Sequence, residues 1–337
     1  MAQVAEQAAK VLGPLGSTAT IWGLDLGLRL GIFDHLARTE TPQSPEEVAS
    51  ALRLDPLYTR VILRSAFAGE ILDLEGGRYS LAEHMDKVLL DPDHPAYLGG
   101  GVRVLVALRE TFLDLRDRAE TSQRRTWADF DPEWIDAVGE HCQTYYRRTL
   151  DAVVPQLPAV QQKLASGARF LDLACGTCKG TAKVVSAFPN TTVTGVDYDA
   201  YVLEIAEREM KERAIGDRFS FVHSSLEEMT LEEQHDIAMI NVSLHEARDK
   251  EAVVARTYDA LEEGGVFLVS EFPFPENDED TRTAPGRVMC GVQFFEAHIG
   301  CQLLPTKAFV ELLEVAGFKD VGVIDVTPTH SVIHGTK

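Results

Sequence analysis

A turn within RFLDLACGTCKGTAKVV, at residues 169–185, places two cysteines on either side of one glycine. Cys175 and Cys178 have the C-x-x-C spacing of redox and metal sites, and Gly176 lies between them. No second C-x-x-C occurs in the sequence and no histidine is clustered nearby, so neither a metal site nor a thioredoxin-like motif is favoured. The sequence instead predicts small residues that line a cofactor turn between a strand and a helix.

The spacing of this turn indicates which cofactor it accepts. A dinucleotide loop requires G-x-G-x-x-G so that the backbone can approach a pyrophosphate, and ACGTCKG lacks that spacing. NAD and FAD are therefore not favoured, whereas S-adenosylmethionine (SAM) has no phosphate and needs a small turn and an acidic group. Asp197 ends the next predicted strand, where a carboxylate accepts hydrogen bonds from ribose hydroxyls. Asp172, at the end of the first strand, is expected to support the turn and the ammonium group. An ordinary capping role is the alternative for both.

His245 is the candidate reacting residue, because it follows the fourth predicted strand in MINVSLHEARD at the same edge. Methyl transfer from a sulfonium is an in-line displacement, so the protein has to align the acceptor and remove its proton. Histidine suits that task because its ordinary pKa lies near working pH. A lone histidine at a strand end is more often structural, and the residue alone does not decide between the two.

Alternating strands and helices from Arg169 onward predict the scaffold that positions these residues. Strands are expected at 169–174, 191–197, 218–223, 235–242 and 264–271. This order predicts an α/β fold with a doubly wound, Rossmann-like parallel sheet. The closing VGVIDVTPTHSVIHG reads as a hairpin and makes the last strand antiparallel, which is typical of SAM methyltransferases and unusual for nicotinamide-binding domains.

The first hundred residues predict a different module. Ser44-Pro45 and Asp55-Pro56 are helix starts, and Gly76-Gly77 between short apolar runs predicts a hairpin. Helices followed by a hairpin indicate a winged helix, which often binds DNA. Residues 1–100 carry 14 acidic and 8 basic side chains, which argues against DNA. We expect a winged-helix-like dimerisation domain at 1–100, a helical connector at 101–165 and a SAM-binding domain at 166–337.

Composition excludes several classes of partner. The chain has 337 residues and a formal net charge of −21, which is unfavourable for a phosphate backbone or an anionic lipid surface. No stretch reaches the roughly 18 uninterrupted apolar residues of a spanning helix, and the N-terminus lacks the pattern of a signal peptide. Five cysteines do not suggest a disulfide framework. We expect a cytoplasmic protein with a small-molecule partner, no nucleic acid and no membrane.

Taken together, these motifs resemble those of the dimeric SAM-dependent small-molecule O-methyltransferases of plants and bacterial natural-product pathways. The resemblance covers nearly the whole chain, through GGRYSL, LDLACGT, VTGVD, INVSLHEARD, GGVFLVSE and LLEVAGF. The family usually has more glycine where Ala174, Cys175 and Cys178 stand, and Gly-Asp where this chain has Ser224-Ser225. LHEARD also lacks the family's aromatic residue after the catalytic pair. The resemblance implies a class I methyltransferase fold, SAM as cofactor, a homodimer and a place in secondary metabolism.

The resemblance also implies roles for individual residues. His245 is expected to act as general base and Glu271 to orient it. A second carboxylate of many plant members would fall near Gln302-Leu303, and neither is acidic. The expected cofactor-binding residues are Asp172, Ala174, Gly176, Asp197, Tyr198, Ser224, Ser225, Asn241 and Tyr146. The expected acceptor-lining residues are Met289, Val292, Phe295 and Ile299, although each is equally well explained as plain core.

The leading hypothesis is methyl transfer to a hydroxyl of a small aromatic or polyketide-like metabolite. Transfer to nitrogen, carbon or sulfur is an alternative, because a base does not choose the acceptor atom. A second alternative keeps SAM but uses it in cyclisation, hydroxylation or decarboxylation, and a third is a SAM-sensing DNA-binding regulator.

Overall fold

The structure is a computed structural model that describes residues 3–39, 41–130 and 132–337. The chain divides into two compact units, Met1–Arg109 and Glu110–Lys337. The predicted fold class is confirmed, since a mostly helical region with a short hairpin precedes a mixed α/β region whose last strand is antiparallel. Within the described residues, every helix is too short or too polar to cross a membrane.

Helices make up most of the first unit, and one antiparallel hairpin interrupts them. Its elements are α1 (Val4–Arg29), α2 (Ile32–Arg38), α3 (Pro45–Leu52), α4 (Pro56–Ala68), β1 (Leu72–Glu75), β2 (Arg78–Leu81), α5 (Met85–Leu89) and α6 (Gly99–Ala107).

The predicted helix starts and turn form as expected. Ser44 and Glu47 form a capping box at the start of α3, where the Glu47 amide donates to the Ser44 hydroxyl at 3.2 Å and the Ser44 amide to the Glu47 carboxylate at 2.7 Å. Asp55 caps α4 by accepting from two backbone amides. Gly76 and Gly77 join β1 to β2 with φ values of 56° and 79°, a left-handed conformation that favours glycine.

The apolar run at 24–33 divides between the core and the surface of the first unit. Leu24, Ile32 and Phe33 are buried in the unit's own core. The exposed large apolar side chains of this region lie on or just after α1 and are Val4, Val11, Leu12, Leu15, Trp22, Leu26 and Leu30.

The second unit contains a seven-stranded sheet in the order β5-β4-β3-β6-β7-β9-β8. Its strands are β3 (Arg169–Leu173), β4 (Thr192–Asp197), β5 (Phe219–His223), β6 (His235–Asn241), β7 (Leu261–Glu271), β8 (Lys319–Thr327) and β9 (His330–Thr336). Its helices are α7 (Arg109–Thr121), α8 (Pro132–Arg148), α9 (Pro158–Ser166), α10 (Thr181–Ala187), α11 (Ala200–Glu212), α12 (Lys250–Ala260), α13 (Ala284–Ile299) and α14 (Thr306–Ala316).

The sheet is buried on both faces. Successive side chains of a strand point to opposite faces, so they belong to two separate hydrophobic cores. Leu171, Ala238 and Phe267 pack on one face with residues of α12 and α14, while Phe170 and Ile237 pack on the other with residues of α9 and α10. Strand order reverses between β3 and β6, so the carboxyl ends of these strands border the crevice in which open α/β sheets bind ligands.

One strand differs from the sequence-based expectation at its start. β7 begins at Leu261 rather than 264, and its register against β6 shifts between His235 and Ile237. Gly264 has φ 74° at this irregularity, so the Gly264-Gly265 pair accommodates a bend within the strand.

Asp172 ties β3 to two helices beneath the predicted cofactor turn. Its carboxylate accepts hydrogen bonds from the Tyr146 hydroxyl of α8, at 2.6 Å, and from the Thr181 hydroxyl of α10. Asp172 is fully buried, and this burial raises the pKa of its carboxyl to about 7. Asp172 therefore supports the turn from within the core, and its hydrogen bond fixes the position of the Tyr146 side chain.

We expect Asp172 to make stability depend on pH near neutrality. Because its pKa is raised on folding, its stabilising contribution is present below the ordinary carboxyl pKa and is lost as pH rises through about 7. The loss of unfolding free energy caused by Asp172→Asn should therefore be largest at pH 5 and shrink toward pH 8 in urea unfolding. Exposed Asp217→Asn is the matched control, and an identical pH trend in both variants would contradict this account.

Candidate active site

The predicted cofactor turn has an unusual backbone for its residue types. Ala174, Gly176 and Cys178 have φ values of 53°, 53° and 55°, a conformation that favours glycine. The turn is fixed by hydrogen bonds from the Cys175 amide to the Val196 carbonyl at 3.1 Å and from the Cys178 amide to the Cys175 carbonyl at 3.0 Å. The tertiary contacts thus impose a glycine-like path on two residues that carry side chains.

The two thiols of this turn are buried and favour their protonated form. The hydrogen bond with Cys178 and burial raise the pKa of Cys175 well above its ordinary value. That hydrogen bond lowers the pKa of Cys178, but burial and nearby carboxylates outweigh it and the net shift is upward. Protonated, buried thiols are poor nucleophiles and poor metal ligands, which agrees with a lining role.

Asp197 connects the turn to the end of β4. Its carboxylate accepts from the Gly176 amide and from the Asp199 amide, each at 3.0 Å. Burial raises the pKa of Asp197, and the two backbone donors oppose that shift. The side chain is not a solvent-facing strand cap, and each carboxylate oxygen still has acceptor capacity.

The other predicted cofactor residues divide between the surface and the core. Tyr198 is half exposed, and the Ser224 amide donates to the Asp197 carbonyl at 3.0 Å, which brings the Ser224-Ser225 turn to the same edge. Asn241 is buried, and its side-chain oxygen accepts from the Ser270 hydroxyl at 2.8 Å. The Asn241 side chain therefore connects the ends of β6 and β7.

His245 and Glu271 are brought together at the ends of neighbouring strands, on the edge that carries the turn. His245 lies in a short helical turn after β6, and Glu271 is the last residue of β7. His245 Nδ1 lies 2.8 and 3.0 Å from the two Glu271 oxygens, and the His245 amide donates to the same carboxylate at 3.2 Å. Both residues are buried, so Glu271 fixes the orientation of the imidazole ring.

Glu296, which sequence reasoning did not single out, supplies a second carboxylate. It lies on α13, and its Oε2 is 3.1 Å from Nε2 of His245. The family comparison directs attention to Gln302-Leu303, and Leu303 is a buried apolar residue there. A signal was present in QFFEAHI, because an acidic residue inside an apolar helix is rarely buried without a partner.

Charge interactions around His245 outweigh its burial. Burial alone would lower the pKa of His245, but the charges and hydrogen bonds of Glu271 and Glu296 hold it well above its ordinary value. The neighbouring Glu246 is only partly exposed; burial first and the charge of Glu296 second raise its pKa to about 8. The Trp127 indole donates to Glu246 at 2.7 Å. Three acidic side chains therefore lie around His245, and the carboxylates of Glu271 and Glu296 favour the protonated form of its ring.

The predicted acceptor helix forms and contributes to an aromatic cluster. Met289 and Phe295 are buried in α13, and Val292 and Ile299 are half-buried. We call four neighbouring rings the aromatic cluster, because the centre of each lies within 6 Å of at least two others; its members are Trp127, Phe130, Trp134 and Phe295.

Comparisons with known proteins agree with this geometry. Residues 170–265 match the family model described as a methyltransferase domain. The chain is 29% identical over 108 residues to malonyl-[acyl-carrier protein] O-methyltransferase of Bacillus cytotoxicus, covering 32% of this chain and 36% of that protein. It is 32% identical over 114 residues to the ubiquinone/menaquinone biosynthesis C-methyltransferase UbiE of Shewanella halifaxensis, covering 33% and 45%. The chain therefore spans less than half the length of these curated relatives.

Solved structures extend the similarity of fold to the whole chain. An O-methyltransferase family protein from Burkholderia thailandensis has a TM-score of 0.69 at 20% identity, covering 100% of this chain and 98% of that one. Human N-acetylserotonin methyltransferase in complex with SAM has a TM-score of 0.66 at 19% identity, covering 100% and 99%. The predicted family resemblance is confirmed: the chain contains a methyltransferase domain and has the class I fold of the SAM-dependent O-methyltransferases.

Proposed function

We propose that this protein transfers a methyl group from SAM to a hydroxyl of a small aromatic or polyketide-like metabolite. The observation that carries the proposal is the buried His245–Glu271 pair, which lies at the same sheet edge as the cofactor turn. O-methyltransferases among the proteins of similar fold support the same reaction class.

The cofactor turn offers the space and the polar groups that SAM requires. A Cβ placed on Gly176 would meet nothing within 4 Å, so open space lies beside the turn. Asp197 borders that space and is held by the Gly176 amide. When bound there, SAM supplies an electrophilic methyl group on a positively charged sulfur. We propose that Asp197 accepts hydrogen bonds from the ribose hydroxyls of SAM. The remaining residues proposed to contact SAM are Ala174, Gly176, Tyr198, Ser224 and Ser225.

His245 and Glu271 are proposed to handle the proton. Glu271 holds Nδ1, so Nε2 is the nitrogen that faces the acceptor. Nε2 takes the hydroxyl proton from the neutral state of the ring, and the buried Glu271 carboxylate stabilises the charge that His245 then gains. Met289, Val292, Phe295 and Ile299 on α13 are proposed to align the acceptor, because in-line displacement depends on position.

Carbon methylation is the second candidate, because one curated relative is a C-methyltransferase. A non-methylating use of SAM is a third. The ratio of S-adenosylhomocysteine (SAH) formed to acceptor consumed separates methyl transfer, which gives one to one, from reactions that leave SAM intact.

The first unit is proposed to form a homodimer. Val11, Leu12, Leu15 and Trp22 expose large apolar side chains on α1, and a continuous apolar helix face of this kind is typical of an interface. The acidic charge argues against nucleic acid as an alternative partner.

Asp197→Ala should weaken SAM binding by about 1.5–3 kcal/mol, because it removes a charged acceptor for two ribose hydroxyls. Calorimetric titration with SAM measures the loss. Asp197→Asn is the control, since one acceptor oxygen and the side-chain volume remain, and its loss should be smaller. Unchanged affinity in both variants would remove Asp197 from the ribose site.

His245→Ala should lower turnover by roughly 10²–10⁴ with little change in SAM affinity, because the base is lost and the cofactor turn is intact. Glu271→Gln should cause a smaller loss and shift the pH–rate profile. Activity of His245→Ala on a phenolic acceptor should partly return at high pH, where the phenol ionises unaided. Normal turnover at neutral pH in this variant would exclude His245 as base.

Light scattering at micromolar concentration should give about twice the chain mass of 37.2 kDa. Leu12→Glu together with Leu15→Glu should shift the protein to the monomer, because charge on α1 opposes burial of its apolar face. A wild-type monomer would contradict the homodimer.

A further inference from the structure

The Nε2 side of His245, where the acceptor hydroxyl has to lie, is lined by carboxylates. One atom each of His245, Glu246 and Glu296 lies within 4.8 Å of the others. Glu296 is 2% exposed, and neither its Oε2 nor His245 Nε2 has a well-directed hydrogen bond to any described residue, although the two atoms are 3.1 Å apart. These two buried atoms therefore face each other as an ion pair, and both keep hydrogen-bonding capacity that a ligand between them could use.

The local charge is unbalanced. Protonated His245 compensates one of the two carboxylates that flank it and leaves the other uncompensated, while Glu246, whose pKa is raised to about 8, adds an acidic group that is mostly neutral near pH 7. Arg125 lies 5.3 Å from the centre of the Phe130 ring, but its charge is already paired with Asp114 at 2.9 Å. Buried negative charge of this kind favours a cationic ligand.

Aromatic rings border the same carboxylates. The Trp127 indole donates to Glu246 at 2.7 Å, and its ring lies 5.5 Å from that of Phe295, the residue next to Glu296. Aromatic faces beside carboxylates are a recurring recognition site for ammonium groups, because the ring quadrupole and the acidic charge attract the same cation.

We propose that the acceptor carries a protonated amine close to the hydroxyl that is methylated, and that this ammonium binds Glu296 and Glu246 against the rings of Trp127 and Phe295. The proposal rests on the proposed function and specifies its substrate class. The ammonium draws Glu296 away from His245 and replaces the imidazolium charge, so that His245 releases its Nε2 proton to solvent. Nε2 then takes the hydroxyl proton, the oxygen bonds to the methyl carbon, and the electron pair of the broken C–S bond remains on sulfur.

Three phenols of nearly equal size test the charge preference: 2-(aminomethyl)phenol, 2-(hydroxymethyl)phenol and 2-hydroxybenzoate. Each is titrated calorimetrically into the full-length protein saturated with SAH, so that binding is measured without catalysis. The aminomethyl compound should bind about tenfold or more tightly than the hydroxymethyl compound, and 2-hydroxybenzoate should bind most weakly.

Glu296→Gln should abolish this preference while SAH binding, which reports that the variant is folded, stays close to wild type. In turnover assays the same variant should gain activity on 2-(hydroxymethyl)phenol relative to 2-(aminomethyl)phenol, because His245 is no longer held by a carboxylate on Nε2. Glu296→Asp, which keeps the charge, should restore the binding preference. Exposed Glu311→Gln on α14 is the matched control and should leave the preference unchanged.

Equal affinities for the three phenols, including no measurable binding of any, would overturn the proposal. It would also be overturned if Glu296→Gln lowered affinity for SAM relative to SAH, which would assign the carboxylates to the cofactor's sulfonium, or if Mn²⁺ bound wild type and not this variant, which would assign them to a metal. Each of these results leaves the methyltransferase proposal standing, whereas failure of the wild-type protein to bind SAH would contradict that proposal itself.

Discussion

The position of one buried imidazole between two carboxylates is the constraint on which the candidate active site depends. His245 and Glu271 reach each other because β6 and β7 are adjacent and parallel, with Asn241 opposite Ser270 in register. The hydrogen bonds of the sheet therefore set the separation of base and orienting acid. Glu296 reaches the other side of the ring from α13, so two strand ends and one helix together fix the ring. Losing one member would leave a buried charge without its partner, which costs more than the intact group contributes.

The backbone of the cofactor turn is also held in place by contacts with a neighbouring strand. Ala174 and Cys178 adopt φ values that glycine would adopt more easily, and the strain is offset by contacts to β4, including the Asp197 carboxylate on the Gly176 amide. Gly195 permits these contacts, because a Cβ there would lie 2.9 Å from the Cys175 sulfur. The glycine that the turn lacks is thus compensated by a glycine on the adjacent strand.

The sequence predicts most of the fold, because its signals are local. Helix caps such as Ser44, the Gly76-Gly77 turn and the alternating strands depend on neighbours in the chain, and the structure agrees with them within a few residues. The His245–Glu271 pair was accessible from the resemblance. The contact of Trp127 with Glu246 joins residues 119 positions apart, and helical periodicity pointed to Phe295 rather than to Glu296 beside it. Long-range contacts of buried polar side chains carry no local pattern, so the acidic residue within the apolar sequence of α13 signals a buried partner but does not identify His245 as that partner.

These acidic surroundings connect the composition of the chain to its proposed chemistry. A net charge of −21, together with the Asp197 carboxylate beside the cofactor turn and the Glu296 carboxylate beside His245, gives a negative potential that favours a positively charged sulfonium at the proposed site. Transfer of the methyl group leaves a neutral thioether, so the attraction that draws the cofactor in is absent from the product. A protonated amine on the acceptor would enter the same potential and persist after transfer. The carboxylates around His245 would therefore favour SAM, which carries the sulfonium charge, over SAH. They would also favour cationic acceptors over neutral ones.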